Sequence, residues 1–145
     1  MTEGVILDTG PLVAYLIEND DYHDWAVQIF ADLPPVFWSC EAVLTEAAYL
    51  AGPEPKVIRL IGKMLDQEWL RLPFQFAGEH KRVLELMEHY HSVPMSFADA
   101  CLVRMTELLE ECPVLTIDRD FHIYRKHRRQ MIQTIMPPDR KHPRK

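Results

Sequence analysis

Short apolar runs alternate along the chain with longer segments in which apolar residues recur at helical spacing. Residues 5–7 and 114–117 form apolar runs that are rich in β-branched side chains. Such runs are typical of strands that are buried on both faces of a parallel sheet. The same pattern predicts three further strands, at residues 36–38, 69–72 and 131–136.

Helical segments separate these predicted strands, and proline, glycine and capping residues mark their ends. Strands that alternate with helices indicate an α/β fold with a mostly parallel sheet. We expect one helix beginning near Pro11, one from Asp20 through Phe30, one capped by Ser39 and ending at Gly52, and others over residues 55–67, 77–89, 96–111 and 121–124.

Two aspartates stand where the most apolar of the predicted strands end. Asp8 follows residues 5–7, and Asp118 follows residues 114–117. In open α/β sheets, ligands bind beyond the carboxyl ends of the strands. Because carboxylates held close together repel one another unless a cation lies between them, this placement predicts a divalent metal site.

Glu46 is a further acid at the border of an apolar segment. It lies beside a stripe formed by Val43, Ala47 and Leu50, which we expect to face inward. An acid at the rim of an inward face is either a surface side chain or a group directed into a site, and the pattern alone leaves both interpretations open.

Structural roles compete with metal binding at several of the acids. Asp8 could cap the helix that follows it, and Asp99 is the acid of a capping-box sequence that begins at Ser96. We interpret Asp120 as the N-cap of the next short helix. Each explanation is reasonable alone, but Asp8, Glu46, Asp99 and Asp118 all point to one edge of the sheet, which favours the metal site.

The composition is that of one globular domain. With 145 residues, of which 48% are hydrophobic and 26% charged, the chain is long enough to bury a core. No apolar stretch approaches the roughly 18 residues that a membrane span requires. The first residues lack the basic segment of a secretory signal. Three cysteines, without paired or zinc-type spacing, suit a reducing cytoplasm.

The net charge of −6 is unevenly distributed along the chain. Residues 119–145 contain nine Lys or Arg and two Asp and so carry +7, which leaves −13 on the other 118 residues. A basic end on an acidic chain indicates either a polyanionic partner or a solvated tail. We therefore expect a folded domain over residues 1–136 and a basic, disordered tail over residues 137–145.

Taken in order, four segments of the chain resemble PIN-domain nucleases. They are VILDTGPL at residues 5–12, LTEA at 44–47, SFADA at 96–100 and LTIDRDF at 115–121. The resemblance covers residues 4–136 and implies a three-layer α/β/α fold with a central, mostly parallel sheet. Many single-domain proteins of this kind are similar to VapC-type toxins, which are ribonucleases held silent by a small antitoxin.

The resemblance also implies a site and a function. It assigns metal ligation and catalysis to Asp8, Glu46, Asp99 and Asp118, with Asp120 as a candidate outer contributor. Carboxylate ligands without histidine favour Mg²⁺ or Mn²⁺ over Zn²⁺. The expected function is a Mg²⁺- or Mn²⁺-dependent endoribonuclease that acts on RNA, with a small antitoxin as partner and a homodimer as its assembly.

Other functions fit parts of the pattern. A phosphatase of the haloacid-dehalogenase type needs a second aspartate two residues after its nucleophile, which Asp8 lacks. Asp118 and Asp120 have that spacing but stand too near the end for the later motifs. A PIN fold that binds RNA or protein without turnover is an alternative, and so is a stand-alone PIN nuclease without an antitoxin.

Overall fold

Five parallel strands form the central sheet of the computed structural model, which describes residues 4–138. Two further strands form a separate antiparallel hairpin. In chain order, the strands are β1 Val5–Leu7, β2 Phe37–Trp38, β3 Leu70–Arg71, β4 Val114–Leu115, β5 Arg125–Lys126, β6 Gln130–Met131 and β7 Thr134–Ile135. The order across the main sheet is β3-β2-β1-β4-β7, so β1 is its central strand.

Six α-helices flank the sheet and connect its strands. They are α1 Thr9–Leu16, α2 His23–Asp32, α3 Glu41–Ala51, α4 Pro55–Asp66, α5 Phe76–His89 and α6 Phe97–Leu108. α1 packs against α2 and α3, and α5 packs against α6. The predicted α/β fold with a central parallel sheet is therefore confirmed. Within residues 4–138, no helix has both the length and the apolar character to cross a membrane.

The apolar runs that predicted β1 and β4 explain why these strands occupy the middle of the sheet. All residues of β1 and β4 are buried. Ile6 pairs with Val114, and Leu7 pairs with Leu115. Burial on both faces removes the most apolar surface from water, which places these runs in the interior. The residues that follow the two strands consequently emerge side by side at the carboxyl edge of the sheet.

The hairpin of β5 and β6 was not predicted. Its turn has two residues with positive φ, His127 at 49° and Arg128 at 71°, where sequence patterns usually show glycine or asparagine. The strand predicted over residues 131–136 is consequently split, because residue 131 pairs in the hairpin and only β7 joins the sheet. Arg128 contacts Glu85 at 3.0 Å, so part of the positive charge of this segment is balanced within the protein.

Two local predictions in α3 were wrong. Ser39 does not cap the helix, because its Oγ donates a hydrogen bond of 2.9 Å to the carbonyl O of Leu7; the N-cap is Cys40. Val43 and Ala47 face inward as expected, but Leu50 is 63% exposed. Leu50 lies in the last turn of α3, where its neighbour is a cleft and not the core.

The helix boundaries otherwise lie within a few residues of the predicted ones. α6 ends at Leu108 instead of residue 111, and the short helix expected over residues 121–124 is a 3₁₀ turn over Arg119–His122. The division of the chain at residue 136 stays a prediction, because residues 139–145 of the predicted tail lie outside the described residues.

Candidate functional site

A cleft of about 410 Å³ opens at the carboxyl edge of the sheet. Asp8 and Asp118 reach it from just beyond the neighbouring strands β1 and β4. Glu46 comes from the middle of α3, and Asp99 comes from the first turn of α6. The residues that line the cleft are Asp8, Thr9, Gly10, Glu46, Leu50, Ser96, Asp99, Ile117 and Asp118. The structure thus brings four predicted acids into one cleft, and Asp120 is not among the lining residues.

Asp8 is the most deeply buried of these acids, with 5% of its surface exposed. Its Oδ1 accepts a hydrogen bond of 2.7 Å from the backbone N–H of Thr9, and its Oδ2 accepts one of 2.6 Å from Thr116 Oγ1. Burial raises the pKa of Asp8 from 3.8 to about 7, and the charges of Asp99 and Asp118 add to the rise. The hydrogen bonds from Thr116 and Thr9 act in the opposite direction and lower the pKa of Asp8. Asp8 caps α1 and also lines the cleft, so its role as a helix cap does not remove it from the candidate site.

Asp99 likewise combines a structural role with a place in the cleft. The capping box is present, because Ser96 Oγ accepts from the Asp99 N–H at 3.0 Å and an Asp99 oxygen accepts from the Ser96 N–H at 3.3 Å. The Tyr124 hydroxyl donates to the same oxygen, Oδ2, at 3.0 Å. Burial raises the pKa of Asp99, and the charge of Asp118 raises it further.

Asp118, not Asp120, caps the 3₁₀ turn that follows β4. The Asp118 Oδ1 accepts a hydrogen bond of 2.9 Å from the Asp120 N–H. Its own backbone N–H donates to Thr116 Oγ1 at 2.9 Å. Burial and the charge of Asp118 raise the pKa of Asp120. Asp120 therefore lies within the electrostatic influence of the acids, although it does not line the cleft.

Hydroxyl groups orient the carboxylates of the cleft. Thr9 Oγ1 donates to Glu46 Oε1 at 2.8 Å, which links the start of α1 to α3. Thr116 Oγ1 donates to Asp8 and accepts from the Asp118 backbone, so one hydroxyl positions both strand-end acids. A hydrogen bond to a ligating group fixes its orientation and tunes its basicity. Thr9 therefore orients the Glu46 carboxylate, and Thr116 orients the Asp8 carboxylate.

Tyr124 is a site residue that sequence analysis did not identify. Its side chain is fully buried, and its ring packs edge-on against Phe121 and Tyr90. Burial and the nearby charge of Asp99 raise the pKa of the phenol, so it stays a protonated donor. The sequence gives only a general indication of this role, because a buried tyrosine requires a hydrogen-bond partner for its hydroxyl. The identity of that partner depended on the tertiary fold.

The chemistry of the donor set fits a hard divalent cation. All four acids offer carboxylate oxygens, which Mg²⁺ and Mn²⁺ prefer. Burial raises the pKa values of Asp8 and Asp99, and neighbouring carboxylates add to the rise, so a cation among these acids would offset their charge. Within residues 4–138, however, no three His, Cys, Asp or Glu side chains are arranged to hold a metal ion between them. The four acids share a cleft, but their present conformation is not a ligand cage.

Comparison with known proteins agrees with this geometry. A family model described as PIN domain matches residues 5–127, which include all four acids. No curated protein matches the chain. PIN domains are generally nucleases and typically use divalent metal ions. The chain belongs to the PIN domain family.

Proposed function

We propose that this protein is a Mg²⁺- or Mn²⁺-dependent endoribonuclease that hydrolyses phosphodiester bonds of RNA in the acidic cleft. The observation that carries this proposal is the convergence of Asp8, Glu46, Asp99 and Asp118 from four separate elements into one cleft of a PIN-domain chain. A binding module without turnover has no need to collect four acids whose mutual repulsion destabilises the fold.

The four carboxylates would hold the cation, and the surrounding groups of the chain would set their positions. A bound divalent cation would supply activation of water and neutralisation of the negative charge that develops on the phosphate. Thr116 holds Asp8 and the backbone of Asp118 in fixed relation. Thr9 and Tyr124 orient Glu46 and Asp99 in the same way.

Within this proposal the protein is the toxin of a toxin–antitoxin pair, and its assembly is a homodimer. The antitoxin rests on the sequence resemblance to VapC-type toxins. For the dimer, Leu50 and Ile58 are 63% and 59% exposed, and Tyr49, which precedes Leu50 in the chain, is also exposed. α3 and α4, which carry these exposed apolar groups, contact each other, and contiguous exposed apolar surface is typical of interaction sites. Copurification of a small protein tests for the antitoxin, and the mass of the free protein in solution tests for the homodimer.

Cleavage of single-stranded RNA is expected with Mg²⁺ or Mn²⁺ and is expected to stop when excess EDTA removes the metal. A gel assay with end-labelled RNA and with DNA of the same sequence measures both the metal requirement and the choice of substrate. Undiminished cleavage in excess EDTA would refute the metal mechanism. Binding of RNA with no cleavage under any metal condition would instead support the binding module.

Replacing Thr116 with Val should lower the rate of cleavage about 10- to 100-fold, the usual cost of losing a group that orients a metal ligand. Valine has nearly the shape of threonine but cannot donate to Asp8 or accept from the Asp118 N–H. Thr106→Val is the matched control, because Thr106 is also buried and its hydroxyl donates to the carbonyl O of Val103 within α6. Equal losses in the two variants would show a general effect on the fold.

A further inference from the structure

We propose that a small aromatic pocket beside the acidic cleft binds one unpaired base of a single-stranded nucleic acid, next to the phosphodiester held in the cleft. The aromatic pocket is defined here by Phe74, Phe76 and Phe97, with Cys40 and Cys101 at its base and Glu41 at its margin. The inference rests on the proposed function, since it adds a subsite for the same substrate. The aromatic pocket would recognise a base, whereas the four acids act only at the phosphodiester.

The rings of Phe76 and Phe97 are unusually open to solvent. They are 40% and 47% exposed, and each stands at the first position of its helix, α5 or α6. Their centroids lie 5.4 Å apart, with an angle of 51° between the planes. The His80 ring lies 6.4 Å from Phe76 and extends the aromatic surface. Neighbouring aromatic groups left exposed in this way are typical of a binding surface.

The size of the aromatic pocket suits one planar group. Its volume is about 220 Å³, which is below the roughly 300–1,000 Å³ of pockets for drug-sized ligands. Cys40 and Cys101 are buried free thiols and give the pocket a weakly polar floor. Every nucleobase has a π-face that stacks on aromatic side chains, so such a pocket accepts a base without requiring one sequence.

The charges around the pocket favour a base over a phosphate group. Glu41, in the first turn of α3, is the one charged residue among those that line the pocket in the described chain. A carboxylate repels a phosphate, but it can accept a hydrogen bond from the amino group of a base. The sugar–phosphate chain would therefore remain outside the pocket, and a base would enter it.

The aromatic pocket and the acidic cleft are both lined from the start of α6. Ser96 lines the cleft, and the next residue, Phe97, lines the pocket. Consecutive Cα atoms are about 3.8 Å apart, and Asp99 lies on the first turn of the same helix. A phosphodiester among the acids would consequently have the base of an adjacent nucleotide within reach of the Phe97 ring.

The inference is tested by binding and not by turnover, with Ca²⁺, a cation that also takes carboxylate ligands, in place of Mg²⁺. The probes are a short single-stranded RNA of mixed sequence and an abasic sugar–phosphate chain of the same length, both fluorescently labelled. Phe97→Leu should weaken binding of the base-bearing RNA on the order of tenfold, because base–aromatic stacking is worth about 1–3 kcal/mol per base. Binding of the abasic chain should not change. Phe97→Tyr keeps an aromatic ring and should bind as the wild type does.

The matched control is Leu108→Ala, at the opposite end of α6, because Leu108 is as exposed as Phe97 at 47%. It should bind both probes as the wild type does. The proposal is overturned if Phe97→Leu leaves binding of the base-bearing RNA unchanged, or weakens binding of both probes equally. It is also overturned if the wild type binds the two probes with the same affinity. Failure of the wild type to cleave RNA would refute the proposed function but would not alter these binding results.

Discussion

Asp8→Asn is expected to lower the rate of RNA cleavage by about a thousandfold or more and to weaken binding of Mn²⁺. A bound cation stabilises the negative charge that develops during phosphodiester hydrolysis, and this lowers the activation free energy by several kcal/mol. Removing one carboxylate from the set that we propose holds the cation would lose much of that energy. Asn retains the shape of Asp and is about as good a helix cap. Its Oδ1 can still accept from the Thr9 N–H.

The same substitution should leave the metal-free protein at least as stable as the wild type. The Asp8 carboxylate is buried near Asp99 and Asp118, and its pKa of about 7 reflects the cost of charging it there. A neutral amide avoids that cost. Thermal unfolding without metal and cleavage with metal should be measured on the same preparation, with Asp24→Asn, an exposed acid of α2, as control. Near-wild-type cleavage by Asp8→Asn would show that Asp8 is a helix cap only.

Glu107→Gln is expected to lower the free energy of unfolding by about 3 kcal/mol at pH 7. The Glu107 side chain is 1% exposed and receives hydrogen bonds from Arg82 at 2.7 and 3.0 Å and from Arg104 at 2.9 Å. It also accepts from the His127 backbone N–H at 2.7 Å, which anchors the β5–β6 hairpin to α6. Removing the charge leaves the partly buried Arg82 and Arg104 with only their more exposed partners, Glu85 and Glu79.

The pKa of Glu107 gives the pH range of this effect. Burial by itself would raise the pKa, but hydrogen bonds from Arg82, the His127 backbone and Arg104 outweigh it and lower the pKa from 4.5 to about 2. A lowered pKa contributes stability that is complete above the unfolded-state value and is lost as pH falls towards the folded-state value. The shift corresponds to about 3 kcal/mol, at about 1.4 kcal/mol per unit.

Urea unfolding of the wild type and of Glu107→Gln between about pH 2 and pH 7 measures this dependence. The difference between the two proteins should be full above about pH 5 and should shrink steadily as the pH is lowered towards 2. Glu110→Gln is the control, because Glu110 is 57% exposed and pairs with Lys126 and His127 at the surface. Exposed pairs typically contribute less than about 1 kcal/mol. A pH-independent difference for Glu107→Gln would contradict the ion-pair explanation.

The fold class, and the edge of the sheet at which Asp8 and Asp118 lie, follow from the amino-acid sequence. Continuous runs rich in β-branched residues, such as residues 5–7 and 114–117, are typical of strands buried on both faces, which predicts a parallel sheet with β1 and β4 inside it. Residues after such strands must emerge at one edge. Asp8 and Asp118 could therefore be assigned to that edge from local information alone, and the capping box at Ser96 and Asp99 could be recognised in the same way.

Contacts between groups that are far apart in the chain depend instead on how the helices and strands pack in three dimensions. The bonds from Thr116 to Asp8, from Thr9 to Glu46 and from Tyr124 to Asp99 join residues that no local pattern relates. The same holds for the β5–β6 hairpin, which has no glycine at its turn and is anchored by the distant carboxylate of Glu107. Hydrophobic periodicity reports which side of an element faces the core, but the partner of a buried polar group depends on how the elements pack together.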